Sequence, residues 1–224
     1  MYKTETIKNY LESMRAMITE HMESENIRLS ISKGNRKIGR VMNVSTAAIV
    51  TCGNCTECQG YCYDLKACLM RFNVRNARAK NTALLYRDRD EFFRQVSEAC
   101  DRRRTNKYFR WHVSGEILDL DYFGRMVQIA VDHPDFVFWT YTKRYDIVNR
   151  FVADGGFIPG NFTVMFSEWR GMPIDNPYGF PEFRVLFEGE EAPADAFVCP
   201  GNCDICKAAG RGCVAGETAY NGIH

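Results

Sequence analysis

Nine of the ten cysteines in this chain of 224 residues fall into two tight clusters. The first cluster is Cys52, Cys55, Cys58 and Cys62, with Cys68 close behind it, and the second cluster is Cys199, Cys203, Cys206 and Cys213. Thiolates at such short spacing converge on a small object, which in proteins is usually a metal ion or an iron–sulfur cluster. The two clusters are therefore where the chemistry of this chain is expected.

The spacing of the first cluster, C-x2-C-x2-C-x3-C, equals that of the ferredoxin-type run, although Tyr63 replaces the proline after its last cysteine. Zinc ribbons separate two C-x2-C pairs by roughly a dozen residues or more, whereas these four thiols lie within eleven residues. The spacing favours an iron–sulfur cluster of the 4Fe-4S type and leaves zinc as the alternative.

The second cluster reads C-x3-C-x2-C-x6-C, and its glycines let the backbone turn tightly. Its thiols are predicted to bind a second iron–sulfur cluster or a zinc ion, or to lend a ligand to the first site. Disulfides are disfavoured because no secretory signal opens the chain and a chain of this length buries a core without cross-links.

The composition is that of an ordinary globular protein, with 46% hydrophobic and 25% charged residues. No apolar run is long enough to cross a bilayer, so no membrane association is expected. The net charge of +1 conceals a basic segment, residues 66–110, with thirteen Lys or Arg against five Asp or Glu. Within it Arg71, Arg75 and Arg78 share one helix face, which predicts an anion-binding site.

Strand patterns alternate with helix patterns through the middle of the chain, which predicts an α/β fold with a parallel sheet. We expect five or six strands, arranged as a partial (β/α) barrel or an open parallel sheet. The segment Thr46–Thr51 is predicted to be the first core strand, ending at Cys52. The predicted units are an N-terminal helix in residues 1–26, an α/β core in residues 27–198 and a cysteine-rich segment in residues 199–224.

Polar residues and cysteines follow several of these predicted strands, at the carboxyl ends where α/β proteins bind their ligands. The residues at these ends are Cys52, Ser114-Gly115-Glu116, Lys143-Arg144, Glu168 and Cys199. The pattern predicts one rim that carries both cysteine clusters.

Four stretches of the sequence together resemble the phage gene-product-eighty-eight family: Cys52–Lys66, Trp111–Glu116, Trp139–Arg144 and Cys199–Cys206. The resemblance extends from Ile27 to Cys213 and leaves out the N-terminal helix. Members of this family are carried by bacteriophages, plasmids and other mobile elements. The resemblance therefore implies a mobile-element protein that works in the cytoplasm of a bacterial host.

A more distant resemblance is to radical S-adenosylmethionine enzymes, in which a partial barrel holds a four-iron cluster after its first strand. Tyr61 matches the aromatic residue before the last cysteine of that loop, and Ser114-Gly115-Glu116 is similar to the motif that holds the cofactor's amino group. The superfamily's C-x3-C-x2-C spacing is absent from the first cluster and occurs instead at Cys199–Cys206.

The leading hypothesis is an iron–sulfur protein with one or two clusters and a radical-S-adenosylmethionine-like fold. If it is an enzyme, Glu116 would bind an amino group of S-adenosylmethionine or of a substrate. Lys143, Arg144 or the three arginines would then bind an anionic portion. The alternative is a non-catalytic module in which bound metals stabilise the fold and the segment 66–110 binds nucleic acid or a host protein.

Overall fold

A single sheet of seven parallel strands organises the part of the chain that the computed structural model describes, residues 1–53 and 58–222. The strands are β1 (Met42–Val44), β2 (Tyr108–Trp111), β3 (Val137–Thr142), β4 (Phe162–Ser167), β5 (Glu182–Leu186), β6 (Phe197–Val198) and β7 (Ala219–Gly222). The helices are α1 (Thr4–Met22), α2 (Tyr63–Met70), α3 (Phe72–Arg87), α4 (Arg89–Asp101), α5 (Leu120–Asp132), α6 (Tyr145–Ala153) and α7 (Cys203–Ala209). Short 3₁₀ turns span Gln59–Tyr61 and Gly212–Ala215.

The strand order is β1-β2-β3-β4-β5-β7-β6, so the first five strands lie side by side in chain order. Every ladder between these strands is parallel. This arrangement confirms the predicted α/β class and, of the two predicted architectures, the open parallel sheet. The sheet has more strands than expected because β7, close to the end of the chain, inserts between β5 and β6.

The helices begin where the sequence supplies capping carboxylates. Asp88 accepts a hydrogen bond from the backbone N–H of Glu91 over 2.9 Å, and Asp119 accepts one from Tyr122 over 2.9 Å. These bonds satisfy backbone donors that the first turns of α4 and α5 leave unpaired. None of the described helices combines the length and apolar character that a membrane span requires.

One face of the sheet packs against helices in the main hydrophobic core. Phe109, Phe138 and Phe166 enter this core from β2, β3 and β4, and they meet residues from α1, α3, α4, α5 and α6. The N-terminal helix belongs to the same core, since Met14 on α1 is fully buried there. The buried residues of α1, Tyr10, Met14 and Ile18, recur every four positions and pack on one face of the helix within the chain.

The opposite face is covered by the C-terminal part of the chain. Trp139 from β3 and Met165 from β4 point to this face and pack with Cys213 in a second, smaller core. Because side chains alternate along a strand, neighbours such as Phe138 and Trp139 must be buried by different layers.

The predicted strand at Thr46–Thr51 is wrong: the strand is β1, and residues 48–50 form a turn after it. Thr51 closes this turn, since its N–H and its hydroxyl donate to the carbonyl of Ala47 over 3.0 and 2.9 Å. Ala47 in turn donates to Thr82 on α3 over 2.8 Å. These hydrogen bonds outweigh the β-propensity of the segment.

Before β1 the chain forms two isolated antiparallel bridges, Ser32 with Asn43 and Asn35 with Gly39. Side chains also hold the segment 27–33 in place. Asn81, fully buried on α3, accepts from the N–H of Ser30 over 2.7 Å and donates to the carbonyls of Ser30 and Ser45.

We predict that Asn81→Ala lowers the free energy of unfolding by about 2–4 kcal/mol, because it leaves buried backbone groups without partners. Amide exchange in residues 27–33 should accelerate in the same variant. Asn73→Ala, at an exposed position of α3, is the control and should change stability by less than about 0.5 kcal/mol. Equal stability of the two variants would contradict this role of Asn81.

Candidate functional site

The carboxyl ends of β1 to β4 form one rim, as the sequence predicts. The loop after β2 is joined to the segment after β1, since Thr46 N–H donates to the Ser114 carbonyl over 3.0 Å. The Ser114 hydroxyl lies 2.8 Å from the Thr46 carbonyl. Gly115 is left-handed, with φ of 92°, and a Cβ there would meet the hydroxyls of Thr46 and Thr51. Glycine is therefore needed at this position.

Glu116 braces the rim between β2 and β3. Its carboxylate accepts from the N–H of Ile117 over 2.8 Å, the hydroxyl of Thr142 over 2.7 Å and the N–H of Lys143 over 2.8 Å. Burial raises the pKa of Glu116, while the N–H groups of Lys143 and Ile117 act in the opposite direction. The binding of an amino group by Glu116 stays a prediction, and its observed partners give it a structural role.

Lys143 and Arg144 have different surroundings. The Nζ of Lys143 lies 3.1 Å from the hydroxyl of Ser167 at the end of β4 and 5.9 Å from the ring centre of Trp169. Arg144 pairs with Asp146 over 2.9 Å and donates to the carbonyl of Leu118. Lys143 is therefore the better placed of the two cations to bind an anion.

Asp64 is a buried carboxylate that the sequence reasoning did not identify. It lies on α2, pairs with Arg78 over 3.2 Å and accepts from the hydroxyl of Ser114 over 2.6 Å. Cys68 lies 3.4 Å from the same carboxylate and burial raises the pKa of its thiol to about 12. The position of Asp64, two residues after Cys62, was the only local signal in the sequence for this network.

The three arginines predicted to bind an anion do not form one free stripe. Arg78 is already paired with Asp64. The guanidinium of Arg75 lies 5.7 Å from the ring centre of Phe72, and its buried Nε has no hydrogen-bond partner. Arg71 is exposed. Arg71 and Arg75 therefore remain as candidates, whereas Arg78 neutralises a buried acid.

The described cysteines of the first cluster lie at the rim. Cys52 Sγ accepts from the N–H of Ile49 over 3.2 Å, and Cys62 immediately precedes α2. Tyr61, before Cys62, packs against Trp169 with 5.8 Å between ring centres. Cys55 lies outside the described residues, so the structure describes three of the four predicted ligands, including Cys58.

The charges around Cys62 act in both directions. Burial raises the pKa of its thiol and the carboxylate of Asp64 raises it further, whereas the backbone N–H groups of Leu65 and Asp64 and the ammonium of Lys143 act to lower it. Two backbone donors and a cation thus favour the thiolate that a metal ligand requires, and one carboxylate opposes it.

The second cluster is divided: Cys199 directly follows β6 at the carboxyl end of a strand, as predicted, whereas Cys203 and Cys213 lie against a sheet face, which differs from the expectation of one shared rim. Cys203 and Cys213 pack in the smaller core, and Cys206 is also buried. Lys207, on the same helix as Cys203 and Cys206, lies 5.0 Å from the ring centre of Tyr108, the first residue of β2. The apolar face of β3 and β4 needs a cover, and the cysteine-rich segment provides it.

Arg110 extends from β2 towards the second cluster. Its guanidinium lies 4.4 Å from the ring centre of Tyr141, and its buried Nε has no hydrogen-bond partner. No carboxylate in the described ranges lies within ion-pair distance of Arg110. Burial raises the pKa of Cys213 to about 12, and Arg110 is among the groups that lower it.

No disulfide joins the cysteines of the described residues, Cys100 on α4 included, and Cys199 and Cys52 are only partly buried. Within residues 1–53 and 58–222, no three His, Cys, Asp or Glu side chains form a group that could hold a metal ion. Cys55, the second thiol of the first cluster, lies outside these ranges. Metal binding by the second cluster, which is fully described, would require its side chains to move together.

Comparison with known proteins identifies the family. The Gene product 88 family matches residues 10–176, which is well over half of the chain. The chain belongs to the Gene product 88 family. Gene 88 protein of Mycobacterium phage L5 is 32% identical over 95 residues. That stretch is 38% of this chain and 39% of the phage protein, so the match spans about two fifths of the relative's length.

The family match includes the whole rim from Cys52 to Ser167 and ends before the second cluster. It begins inside α1, which the expected reach of Ile27 to Cys213 left out. No solved structure matches the chain. The comparisons therefore support the Gene product 88 family and lend no support to the likeness to radical S-adenosylmethionine enzymes.

We predict a distinct pH dependence for Glu116→Gln. Because burial raises the pKa of Glu116 in the folded state, folding favours its protonated form, and this stabilisation is lost as the pH rises. The stability of wild type relative to Glu116→Gln, measured by urea unfolding, should therefore fall as the pH rises above about 4, where glutamic acid in the unfolded chain ionises. Glu25→Gln, at an exposed position, should give no such slope. A relative stability that is flat or rises with pH would refute the raised pKa.

Proposed function

We propose that this phage-family chain is an iron–sulfur protein whose cluster is bound by Cys52, Cys55, Cys58 and Cys62 at the carboxyl rim. The spacing of these residues is the ferredoxin-type spacing. Supporting this proposal, Cys52, Cys58 and Cys62 belong to one short stretch that follows β1 and leads into α2. A bound cluster would supply one-electron transfer.

The observation that carries the proposal is the position of cations near both groups of sulfur atoms. Lys143 acts to lower the pKa of Cys62, and Arg110 acts to lower the pKa values of Cys203 and Cys213. A cluster with four thiolate ligands carries a net negative charge, and enclosing it without a nearby cation is costly. Lys143 and Arg110 have no carboxylate within ion-pair distance among the described residues, so their charge can balance thiolates.

The second cluster is proposed as a second metal site on the sheet face, holding either an iron–sulfur cluster or zinc. Cys199 and Cys203 act to raise the pKa values of Cys206 and Cys213, which is consistent with neighbouring sulfur atoms. S-adenosylmethionine remains a proposed second ligand of the rim, with Lys143 as its best placed anion-binding residue.

We predict that replacing Cys52, Cys55, Cys58 and Cys62 by Ser removes iron and acid-labile sulfide from anaerobically purified protein, because serine hydroxyls are poor cluster ligands. Cys100→Ser, at a lone buried thiol on α4, is the control and should keep the wild-type metal content. Replacing the second cluster in the same way shows whether it holds metal of its own.

Full metal content in the folded quadruple variant of the first cluster would reject the proposed site. Zinc without iron or sulfide in the wild-type chain would reject the proposed cluster.

A non-catalytic nucleic-acid-binding module is the second candidate function. The observation in its favour is an exposed patch on α2 and α3, where Met70 is 74% and Phe72 is 66% exposed beside the exposed Lys66 and Arg71. Aromatic and basic side chains together bind single strands by stacking and charge. Against it, six basic side chains of segment 66–110 already donate to partners within the chain: Arg78, Arg87, Arg89, Arg94, Arg102 and Lys107.

If this candidate is right, labelled single-stranded DNA or RNA binds at low ionic strength, and Phe72→Ala weakens binding by about 1–3 kcal/mol. Arg71→Gln should reduce the slope of log binding constant against log salt concentration by about one. Arg36 is also exposed, and Arg36→Gln should leave this slope unchanged. Fluorescence anisotropy measures both effects. Absence of binding at low salt rules the candidate out and leaves the iron–sulfur proposal untouched.

A further inference from the structure

A groove with a volume of about 520 Å³ lies between the segment 27–33 and α4. We name it the edge groove because Met42, at its floor, is the first residue of the edge strand β1. The groove is therefore at the amino end of β1, whereas the proposed cluster site is at the carboxyl end. A volume of this size is typical of sites for small molecules.

The wall of the edge groove formed by the segment 27–33 is held in place by side chains from the neighbouring helices. Gln95 on α4 donates to the carbonyl of Ile27 over 2.9 Å and accepts from the N–H of Leu29 over 2.8 Å. Asn81 on α3 adds its hydrogen bonds to Ser30. The groove thus exists before any ligand binds, which lowers the entropic cost of binding.

The charge of the edge groove is strongly positive. Glu98, the only acid among the described residues that line it, pairs with Arg102 over 3.0 Å and with Arg94 over 3.4 Å. Arg28, Lys33 and Arg103 also line it, and no carboxylate of the described chain lies within ion-pair distance of these three. The buried Nε of Arg103 has no hydrogen-bond partner. Arg103 as a whole is only half-buried, so the outer part of its guanidinium is available to an anion in the groove.

The floor of the edge groove is apolar. Leu29, Ile31 and Met42 line it together with the cationic side chains. An inorganic anion would use the cations and leave this floor exposed to water. A ligand with an anionic group and an apolar part would use both features.

We propose that the edge groove binds a small phosphomonoester that carries an apolar or aromatic group. The guanidinium of Arg103, with Arg28 and Lys33, binds the phosphate, because forked donors match its oxygens. The apolar floor contacts the rest of the ligand. This site is independent of the cysteine clusters and of the proposed iron–sulfur function.

Phenyl phosphate is a suitable probe, and amide chemical shifts in solution report where it binds. The proposal expects saturable shifts in residues 28–33 and 95–103, and weaker binding of inorganic phosphate and of phenol. Arg103→Gln and Lys33→Gln should each weaken phenyl phosphate binding by about tenfold, since each removes a charge-assisted hydrogen bond. Lys33 is exposed, so its variant should fold even if the Arg103 variant does not.

Arg104→Gln is the matched control, because Arg104 is exposed, adjacent in sequence and outside the groove. It should bind phenyl phosphate as wild type does. The proposal is overturned if phenyl phosphate does not bind, if inorganic phosphate binds equally well, or if Arg104→Gln and Lys33→Gln weaken binding equally. The serine variants of the first cysteine cluster should keep this binding.

Discussion

The parallel direction of neighbouring strands is the constraint on which the proposed site depends. Parallel strands bring their carboxyl ends to one edge, where the following loops must find new partners for their backbone groups. Glu116 provides such a partner between β2 and β3, because its carboxylate accepts hydrogen bonds from the hydroxyl of Thr142 and the N–H of Lys143. This brace places Lys143 beside Ser167 and close to Cys62. The position of a cation next to the first cysteine cluster thus follows from the register of the sheet.

The alternation of side chains along the strands has a second consequence. It gives the sheet two apolar faces, and the helices bury only one of them. The C-terminal segment buries the other, so Cys203 and Cys213 serve as core residues against Trp139 and Met165. If they also bind metal, folding of this face and metal binding are coupled, since ligand thiols must lose their protons in a buried environment.

Much of this fold could be read from the sequence, because α5 and α6 are amphipathic and the acids at α4 and α5 are local capping signals. The features that were not predicted from the sequence depend on contacts between residues that are distant along the chain. Thr46–Thr51 has the composition of a strand, but the bonds of Thr51 to the Ala47 carbonyl and the bond of Ala47 to Thr82 on α3 make it a turn. Asp64 escaped notice because Arg78 and Ser114, its partners, are 14 and 50 residues away. The insertion of β7 between β5 and β6 likewise has no local signal.

The most direct measurement of the central claim, that thiolates of this chain bind an iron–sulfur cluster, is Mössbauer spectroscopy of iron-57-labelled wild-type protein purified without oxygen. The account predicts a quadrupole doublet of tetrahedral iron bound by sulfur, and chemical analysis of the same sample should find iron and acid-labile sulfide in equal amounts. A labelled protein that is folded and colourless and gives no iron signal would contradict it.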